Sequence, residues 1–564
     1  EKEQIYKNKI ISISDSQIIK KLKIKIKKTS NINFTFLQNK KILESILKNT
    51  KVGNFHGLAI DSRAVNKGNI FLTLKGKNND GIKFIPKALK KGAKYIISSK
   101  QIHNNRKKVL KTKNEKKFLK SFASLKRDKT TAKIIAITGS AGKTSLKNLI
   151  KDLLQKFGNT YCSPKSYNNE YGVPISLSQL KTNHRFGVFE VGMSKKGEIE
   201  DLTKLIRPHI GVITNIGEAH IENFKNIKGI AEAKSEIIKN IQKNGTIILN
   251  RDDKFFNYLE KKAKIKNLKV LTFGLNKNSD ICLKKVITKK NDKVLTIKII
   301  NQTLKIIIKN INYYNVLSSL ALLKALNLNF SQILNFYKNI EPTEGRGKIH
   351  KIYRYKKEFN FIDESYNANP LSVKNAILNF NSIKKENFKK YLLLGDMLEL
   401  GHKSAELHKD ISKVINNSDI DKVFIKGIKT LNTYKNINKN KRGNILQQLS
   451  DVDFALKNII ANNDYLMIKG SNATGLNNLS KKRNTLQASI FFLVLFILLT
   501  IIIFNIYKGT KIALPNLQEE IRESSHFYLL KSMGWSLGLT LLIISGLLYK
   551  KPVFKYAVNK AVTI

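Results

Sequence analysis

The stretch Ile134-Ile135-Ala136-Ile137-Thr138-Gly139-Ser140-Ala141-Gly142-Lys143-Thr144-Ser145 carries the residue types that hold phosphate. A strongly apolar strand runs into Gly, Ser, Ala and Gly, and a helix is expected to start at Lys143. Glycines let backbone N–H groups close around phosphate oxygens, and a helix N-terminus adds its partial positive charge. From this position Lys143 can reach the outer phosphates of a nucleotide, and the Thr144 hydroxyl suits Mg²⁺. The loop is the short G-x-x-G-K-T form: five positions before Gly142 stands Ile137, where the longer Walker pattern has Gly. A chance turn carrying a lysine is the bland alternative, and the strand–loop–helix context argues against it.

The elements around this loop alternate. Before it, a unit beginning near Phe34 predicts a helix over Asn39–Asn49, strands at Asn69–Leu74 and Lys94–Ser98, and a helix with a basic linker over Lys107–Thr130. After it come strands at Phe186–Val191, Ile210–Asn215, Thr246–Asn250 and Val270–Phe273, with helices between them to about Ile340. A third unit, about Glu341 to Arg483, has strands at Glu358–Ile362, Tyr391–Gly395, Lys422–Ile425 and Tyr465–Lys469. Short apolar strands alternating with helices indicate α/β domains with parallel sheets.

The chain of 564 residues is too long for one core, and 42% hydrophobic residues suffice for several. Its two cysteines, Cys162 and Cys282, have no metal-ligand spacing and fit a reducing compartment. The formal net charge is +62. The lysines are spread along the whole chain with abundant Ile and Asn, and no aromatics interleave the Lys runs. That favours a solubilising charge over a nucleic-acid footprint, and no nucleic-acid partner is expected. No signal peptide is visible: the first apolar run is short and Lys-rich sequence follows it. Leu486–Tyr507 is an uncharged apolar run long enough to span a bilayer, and Met533–Tyr549 is near the lower limit. Flanking basic residues put both ends of this hairpin on the cytoplasmic side.

From the glycine loop onward the sequence resembles the Mur ligase superfamily, in order, over about residues 34 to 480. Asn168-Asn169-Glu170-Tyr171-Gly172-Val173-Pro174 is similar to the family's Asn-Asn-x-x-Gly-Val-Pro segment. Phe189-Glu190-Val191-Gly192-Met193 matches a strand end whose Glu is a Mg²⁺ ligand in the family. A carboxylate beside a phosphate loop can hold a hard cation, although a solvated strand-end Glu would look the same. Ile213-Thr214-Asn215-Ile216-Gly217-Glu218-Ala219-His220 makes His220 a second metal contact by resemblance, against the usual structural role of a lone His. Ala231-Glu232-Ala233-Lys234-Ser235-Glu236 resembles the segment whose Lys is carbamylated in relatives, against an ordinary surface Lys. Leu249-Asn250-Arg251-Asp252-Asp253 and Asn312-Tyr313-Tyr314-Asn315 are similar to nucleotide-contacting segments, with Asn310-Ile311 replacing the family's Gly-His. Glu344-Gly345-Arg346-Gly347 matches a hinge whose Arg meets the ATP phosphates, which the planar guanidinium fork suits.

The last unit resembles the branch of the family that adds D-alanyl-D-alanine. Its Ile362-Asp363-Glu364-Ser365-Tyr366-Asn367-Ala368-Asn369-Pro370 and Leu394-Gly395-Asp396-Met397-Leu398-Glu399-Leu400-Gly401 runs carry that likeness, with Ser404, His408 and Lys469-Gly470-Ser471 after them. The resemblance implies three domains. Residues 31–125 would bind the UDP substrate, 126–340 would be a central P-loop parallel-sheet ATPase, and 341–483 a Rossmann-like ligase domain. A two-helix membrane segment is expected over 484–564, with membrane contact through 484–549 and an inner-membrane anchor for cytoplasmic catalytic domains. Residues 1–30 resemble the C-terminus of the preceding ligase of the same pathway, as in a fusion.

The implied activity is ATP-dependent ligation of D-alanyl-D-alanine to UDP-N-acetylmuramoyl-tripeptide, with Mg²⁺, by a monomeric catalytic unit. ATP would meet Gly139 to Ser145, Asn250, Asn312, Arg346 and Asp363. The UDP substrate would meet Ser62, Arg63, Asn168 and Asn169, and the dipeptide Asn367 and Asn369. Lys143, His220, Lys234 and Arg346 would be catalytic, and Thr144, Glu190, His220 and Lys234 would hold metal. Asn69 and Ile82 stand where the family usually has Asp and His. Two alternatives are a folyl-polyglutamate-type ligase and a basic, membrane-tethered binding protein with a degenerate site. The Ser-Tyr-Asn-Ala-Asn-Pro run argues against the first, and the motif departures favour the second.

Overall fold

The computed structural model describes residues 35–478 apart from 49, 77–78, 104–105, 290–291, 301 and 477. The expected tail at 1–30 and the membrane hairpin at 484–564 lie outside the described residues. Among the described residues no helix is long and apolar enough to cross a membrane.

Three sheets follow one another in chain order. The first has four parallel strands, Leu58–Ala59, Ile70–Leu72, Tyr95–Ser98 and Val109–Lys111, in sequence order. Its core holds Phe55, Leu72 and Ile97 against Phe118, Leu119 and Phe122 of the helix Glu115–Asp128. The Asn114 side chain caps that helix by accepting from Lys117 N–H. Val109–Lys111 lies where a helix and linker were expected. Only Leu110 of its three residues is buried, too little for alternation to show.

The central sheet has nine strands, and Lys133–Thr138, which feeds the glycine loop, lies between Ile210–Ile213 and Phe186–Glu190. All pairings from Thr160–Cys162 to Ile281–Lys289 are parallel. The carboxyl ends of the two strands flanking Lys133–Thr138 therefore open on one crevice, where ligands of doubly wound sheets bind. The sheet then departs from the expected parallel pattern. Ile281–Lys289, Asp292–Ile299 and Gln302–Ile308 form an antiparallel meander at one edge. Leu295, Ile297 and Ile299 point into the core while Lys298 is exposed, the alternation of a sheet wet on one side.

The third sheet runs Lys348–Arg354, Lys357–Glu364, Tyr465–Lys469, Lys390–Gly395, Lys422–Lys426 and Arg442–Ile445. Its first pair is antiparallel and the rest are parallel. One apolar cluster contains Ile216 and Ile221 of the central domain together with Ala368 and Val373 of the third. The two domains thus close on a common core.

Candidate functional site

A cleft of about 2350 Å³ lies where the three domains meet. Gly76 and Lys120 come from the first domain, the glycine loop from the second, and Arg346, Asn367 and Lys469 from the third.

The glycine loop is held from below by the end of the neighbouring strand. Ala141 N–H donates to Asn215 Oδ1 (2.8 Å), Thr214 Oγ1 donates to Ala141 O (2.7 Å), and Ser140 Oγ donates to Gly217 O (2.8 Å). Gly139 has φ +147°, and a Cβ there would lie 1.9 Å from Thr214 Oγ1, so only glycine fits. Gly142, at φ +80°, turns the chain into the helix Lys143–Leu154. Lys143 Nζ folds back to donate to Gly139 O at 2.6 Å. Burial pulls its pKa below the ordinary lysine value, Glu190 opposes that, and Arg346 adds to it.

Beyond the loop a polar cluster joins two domains. Thr144 Oγ1 donates to Glu190 Oε2 at 2.7 Å and accepts from Arg346 Nη2 at 2.9 Å. Asn168 Nδ2 donates to Glu190 Oε1 at 2.8 Å. Glu190 is 1% exposed, which removes the solvated strand-end reading. Lys147, one turn beyond Lys143, is fully buried with Nζ 3.9 Å from Glu190 Oε2, and it donates to Ser163 O at 2.7 Å. The motifs did not single out Lys147, although its i+4 spacing from Lys143 put it on the same helix face. The Thr144 hydroxyl beside the Glu190 carboxylate is an oxygen pair that suits a hard cation. Among the described residues no three His, Cys, Asp or Glu side chains gather as a metal cage. Substrate oxygens would have to complete the shell.

Lys234 and His220 both line the cleft. Lys234 is 2% exposed, not on the surface, and burial next to Lys143 lowers its pKa well below the ordinary lysine value. Such an amine is neutral and nucleophilic more often than an exposed one. His220 Nδ1 lies 2.6 Å from Glu399 Oε2 of the third domain.

Arg346 sits between two glycines of positive φ, Gly345 (+74°) and Gly347 (+94°), which turn the hinge around it. Its guanidinium lies 4.3 Å from the centre of the Tyr366 ring, and Tyr366 Oη donates to Ser166 Oγ at 2.7 Å. Asn369 caps the helix Pro370–Asn381 by accepting from Ser372 N–H and donates from Nδ2 to Ser140 O at 3.1 Å. Both of its polar atoms are thus engaged, by the helix and by the glycine loop, and Asn369 also lines the cleft beside Asn367. Asn367 is exposed on the cleft wall.

Asp363 does not line the cleft. It is 3% exposed, and its Oδ1 accepts from Ser365 N–H (3.0 Å) and Oγ–H (2.6 Å). Its strand neighbours Ile362 and Glu364 face the cleft instead, because successive side chains of a strand alternate. Glu364 pairs there with Lys469 at 3.2 Å.

On the nucleotide side, Asn250 and Asn312 line the cleft. Asn250 Oδ1 accepts from Asp252 N–H, and Asn312 caps the helix Tyr313–Ala325 in spite of the altered Asn310-Ile311 before it. Asn169 lines the cleft while its Oδ1 accepts from Gly172 N–H at 2.9 Å. Ser62 and Arg63 lie outside the cleft lining. Ser62 is buried, and the exposed Arg63 forks onto Asp61 (Nη2–Oδ2 2.8 Å). Arg63 is within electrostatic reach of Tyr167, near the Asn168-Asn169 segment. Asn69 accepts from Asn66 N–H to close a turn, and Ile82 packs on a small core of the first domain.

Residues 54–127 match the Mur ligase family catalytic domain, 137–323 the Mur ligase middle domain, and 349–472 the Mur ligase glutamate ligase domain. The chain is 31% identical over 436 residues to the UDP-N-acetylmuramoyl-tripeptide–D-alanyl-D-alanine ligase of Rickettsia prowazekii, a match covering 76% of this chain and 94% of that protein. It is 33% identical over 376 residues to the ligase of the same description from Buchnera aphidicola subsp. Baizongia pistaciae, covering 66% and 80%. The fold is similar to MurF from Acinetobacter baumannii, with a TM-score of 0.68 at 23% identity over 78% of this chain and 98% of that one.

Proposed function

The chain belongs to the Mur ligase family, and from that premise we propose how its cleft works as an ATP-dependent ligase joining D-alanyl-D-alanine to UDP-N-acetylmuramoyl-tripeptide in peptidoglycan precursor synthesis. The observation that carries the reading is the Arg346–Thr144–Glu190–Asn168 chain of hydrogen bonds beside the glycine loop. It brings a cation, a hydroxyl and a carboxylate from two domains to the place where a nucleotide's outer phosphates would lie.

A carboxylate oxygen of the tripeptide attacks the γ-phosphorus and ADP leaves. The dipeptide amine then attacks the acyl carbon, loses a proton, and phosphate departs with the former carboxylate oxygen. Lys143 and Arg346 neutralise charge on the transferring phosphoryl group, in a site preorganised before the reaction. Thr144 and Glu190 would hold Mg²⁺, which when bound supplies charge neutralisation at the phosphates. Lys234, buried and with its pKa lowered by burial, is suited to add CO₂ at Nζ with loss of a proton, giving an anionic carbamate in the cleft that His220 also lines. Such a group could face a second cation. All three domains of one chain line the cleft, which supports a monomeric catalytic unit. Closure of the domains keeps water from the acyl phosphate. We assign the reaction to the cytoplasm, where ATP and the UDP-linked precursor are available.

The two-step route is tested with tripeptide substrate carrying ¹⁸O in its terminal carboxylate. Transfer of one ¹⁸O to the released phosphate is expected; phosphate free of label would exclude the acyl phosphate.

A further inference from the structure

Thr144, Ser166, Arg346 and Tyr366 all line the cleft, and their side chains close a ring across the boundary between the central and third domains. Arg346 Nη2 donates to Thr144 Oγ1 at 2.9 Å, and the guanidinium lies 4.3 Å from the centre of the Tyr366 ring. Tyr366 Oη donates to Ser166 Oγ at 2.7 Å, and Ser166 Oγ stands 3.4 Å from Thr144 Oγ1. The guanidinium and the phenol thus lie one over the other, and their tips land on neighbouring hydroxyls of the central domain. Each hydroxyl has one proton to give. Tyr366 gives its proton to Ser166, and Thr144 gives its own to Glu190 Oε2 at 2.7 Å, so the Thr144 oxygen stays open to accept from Arg346.

Both halves of the ring are held from behind. On the central side, the buried Lys147 ammonium donates to Ser163 O at 2.7 Å and to Lys165 O. Lys165 is left-handed at φ 46°, and Asn168 N–H donates to Ser166 O at 2.8 Å. Ser166 is therefore presented by a segment pinned to the helix that starts at Lys143. On the third-domain side, the buried Asp363 accepts through Oδ1 from both Ser365 N–H and Ser365 Oγ–H, which fixes the residue before Tyr366. Tyr366 N–H donates to Gly345 O at 3.3 Å, and a Cβ on Gly345 would lie 3.1 Å from Tyr366 Cβ. Tyr366 is thus packed on the residue that precedes Arg346.

A free arginine side chain has many rotamers, and ordering one costs conformational entropy. A ring under the guanidinium, itself anchored at its tip, removes part of that cost before ATP arrives. We propose that Tyr366 is a positioning residue with Ser166 as its anchor: when the third domain meets the central one, the Tyr366–Ser166 bond sets the ring that holds the Arg346 guanidinium at the phosphoryl site. The inference rests on the reading of Arg346 as a phosphate ligand. The competing use for a tyrosine on this wall, close to Asn367, is contact with the dipeptide, and the bond to Ser166 already takes the phenol proton.

The test is the rate of ADP formation in a single turnover, with the full chain in excess over ATP and with saturating Mg²⁺, UDP-N-acetylmuramoyl-tripeptide and D-alanyl-D-alanine. The steady-state KM for the dipeptide is measured beside it. Tyr366 is 40% exposed, so its variants are expected to melt close to the parent. Tyr366→Phe keeps the ring and loses the anchor, and should slow ADP formation by about 2–10-fold, the net worth of one neutral hydrogen bond. Ser166→Ala should do the same, and the double variant should be no slower than the slower single one. Tyr366→Leu also loses the cation–ring contact and should slow the step by a further factor of about 2–5. The dipeptide KM should not move. In an Arg346→Ala background Tyr366→Leu should have no further effect, since it acts through the guanidinium. An unchanged rate in Tyr366→Leu, an equal loss with and without Arg346, or a change confined to the dipeptide KM would overturn the positioning role. An unchanged rate in Arg346→Ala alone would overturn the phosphate reading of Arg346 itself.

Discussion

Thr144 has one hydroxyl proton, and the structure spends it on Glu190 while Arg346 donates to the oxygen. Nucleotide phosphates arriving at the glycine loop would compete for the same cations. Lys143→Ala should lower kcat by at least about 10²–10³-fold, the usual loss when a preorganised charge is removed. Steady-state turnover checks it, and near-normal turnover would remove Lys143 from the phosphate site. Arg346→Lys keeps the charge but loses the planar fork, which both donates to Thr144 and stacks on Tyr366. A drop on the order of tenfold to a hundredfold is expected.

His209 gives a pH prediction. Its Nδ1 accepts from Ile134 N–H at 2.9 Å, beneath the strand that feeds the loop. Burial, with Arg127 and Lys133 nearby, lowers its pKa to about 4. In the unfolded chain the ring takes its proton near pH 6.5. Between these values the unfolded state binds more protons, so the contribution is complete above about 6.5 and is lost as pH falls toward 4. For a partly solvated ring the effect is on the order of 1–2 kcal/mol. The melting temperature should fall between pH 7 and pH 5, and His209→Asn, which retains an acceptor, should flatten part of that slope. Parallel slopes would show that the ring contributes nothing. At this scale the motifs made Glu190 and Arg346 legible because residue type and chemistry coincide. Motif position does not say which face of a strand a side chain takes, and Asp363 stands outside the cleft lining while Ile362 and Glu364 lie in it.

Among the elements, Lys133–Thr138, Thr246–Asn250 and Tyr465–Lys469 have the bounds their apolar runs predict. Each is buried on both faces, so hydrophobicity alone marks it. The meander at 281–308 was not legible: its strands are Lys-rich and wet on one side. Asn369 shows how one residue serves two elements. It caps the helix Pro370–Asn381 and binds the glycine loop through Ser140 O. Asn369→Ala should cost about 1 kcal/mol through the cap alone. It should also raise the KM for ATP, because the loop loses its tie to the third domain. A lower melting temperature with an unchanged KM would confine the residue to the cap.

At the scale of the whole molecule, the site is made by contacts the sequence leaves far apart. Thr144 and Arg346 are 202 positions apart, and Ser140 and Asn369 are 229 apart. The motifs named most partners but could not pair them across domains. Nor could they show that Glu399 comes within 2.6 Å of His220, since that contact exists only between folded domains. The +62 charge is spread along the chain and enters none of these contacts as a patch. The most direct measurement is phosphate release by the full chain with ATP, Mg²⁺ and UDP-N-acetylmuramoyl-tripeptide, with and without D-alanyl-D-alanine. Release that requires the dipeptide, with a product heavier by one D-alanyl-D-alanine less water, is the predicted result. Release indifferent to the dipeptide, or a product of unchanged mass, would contradict the ligase account.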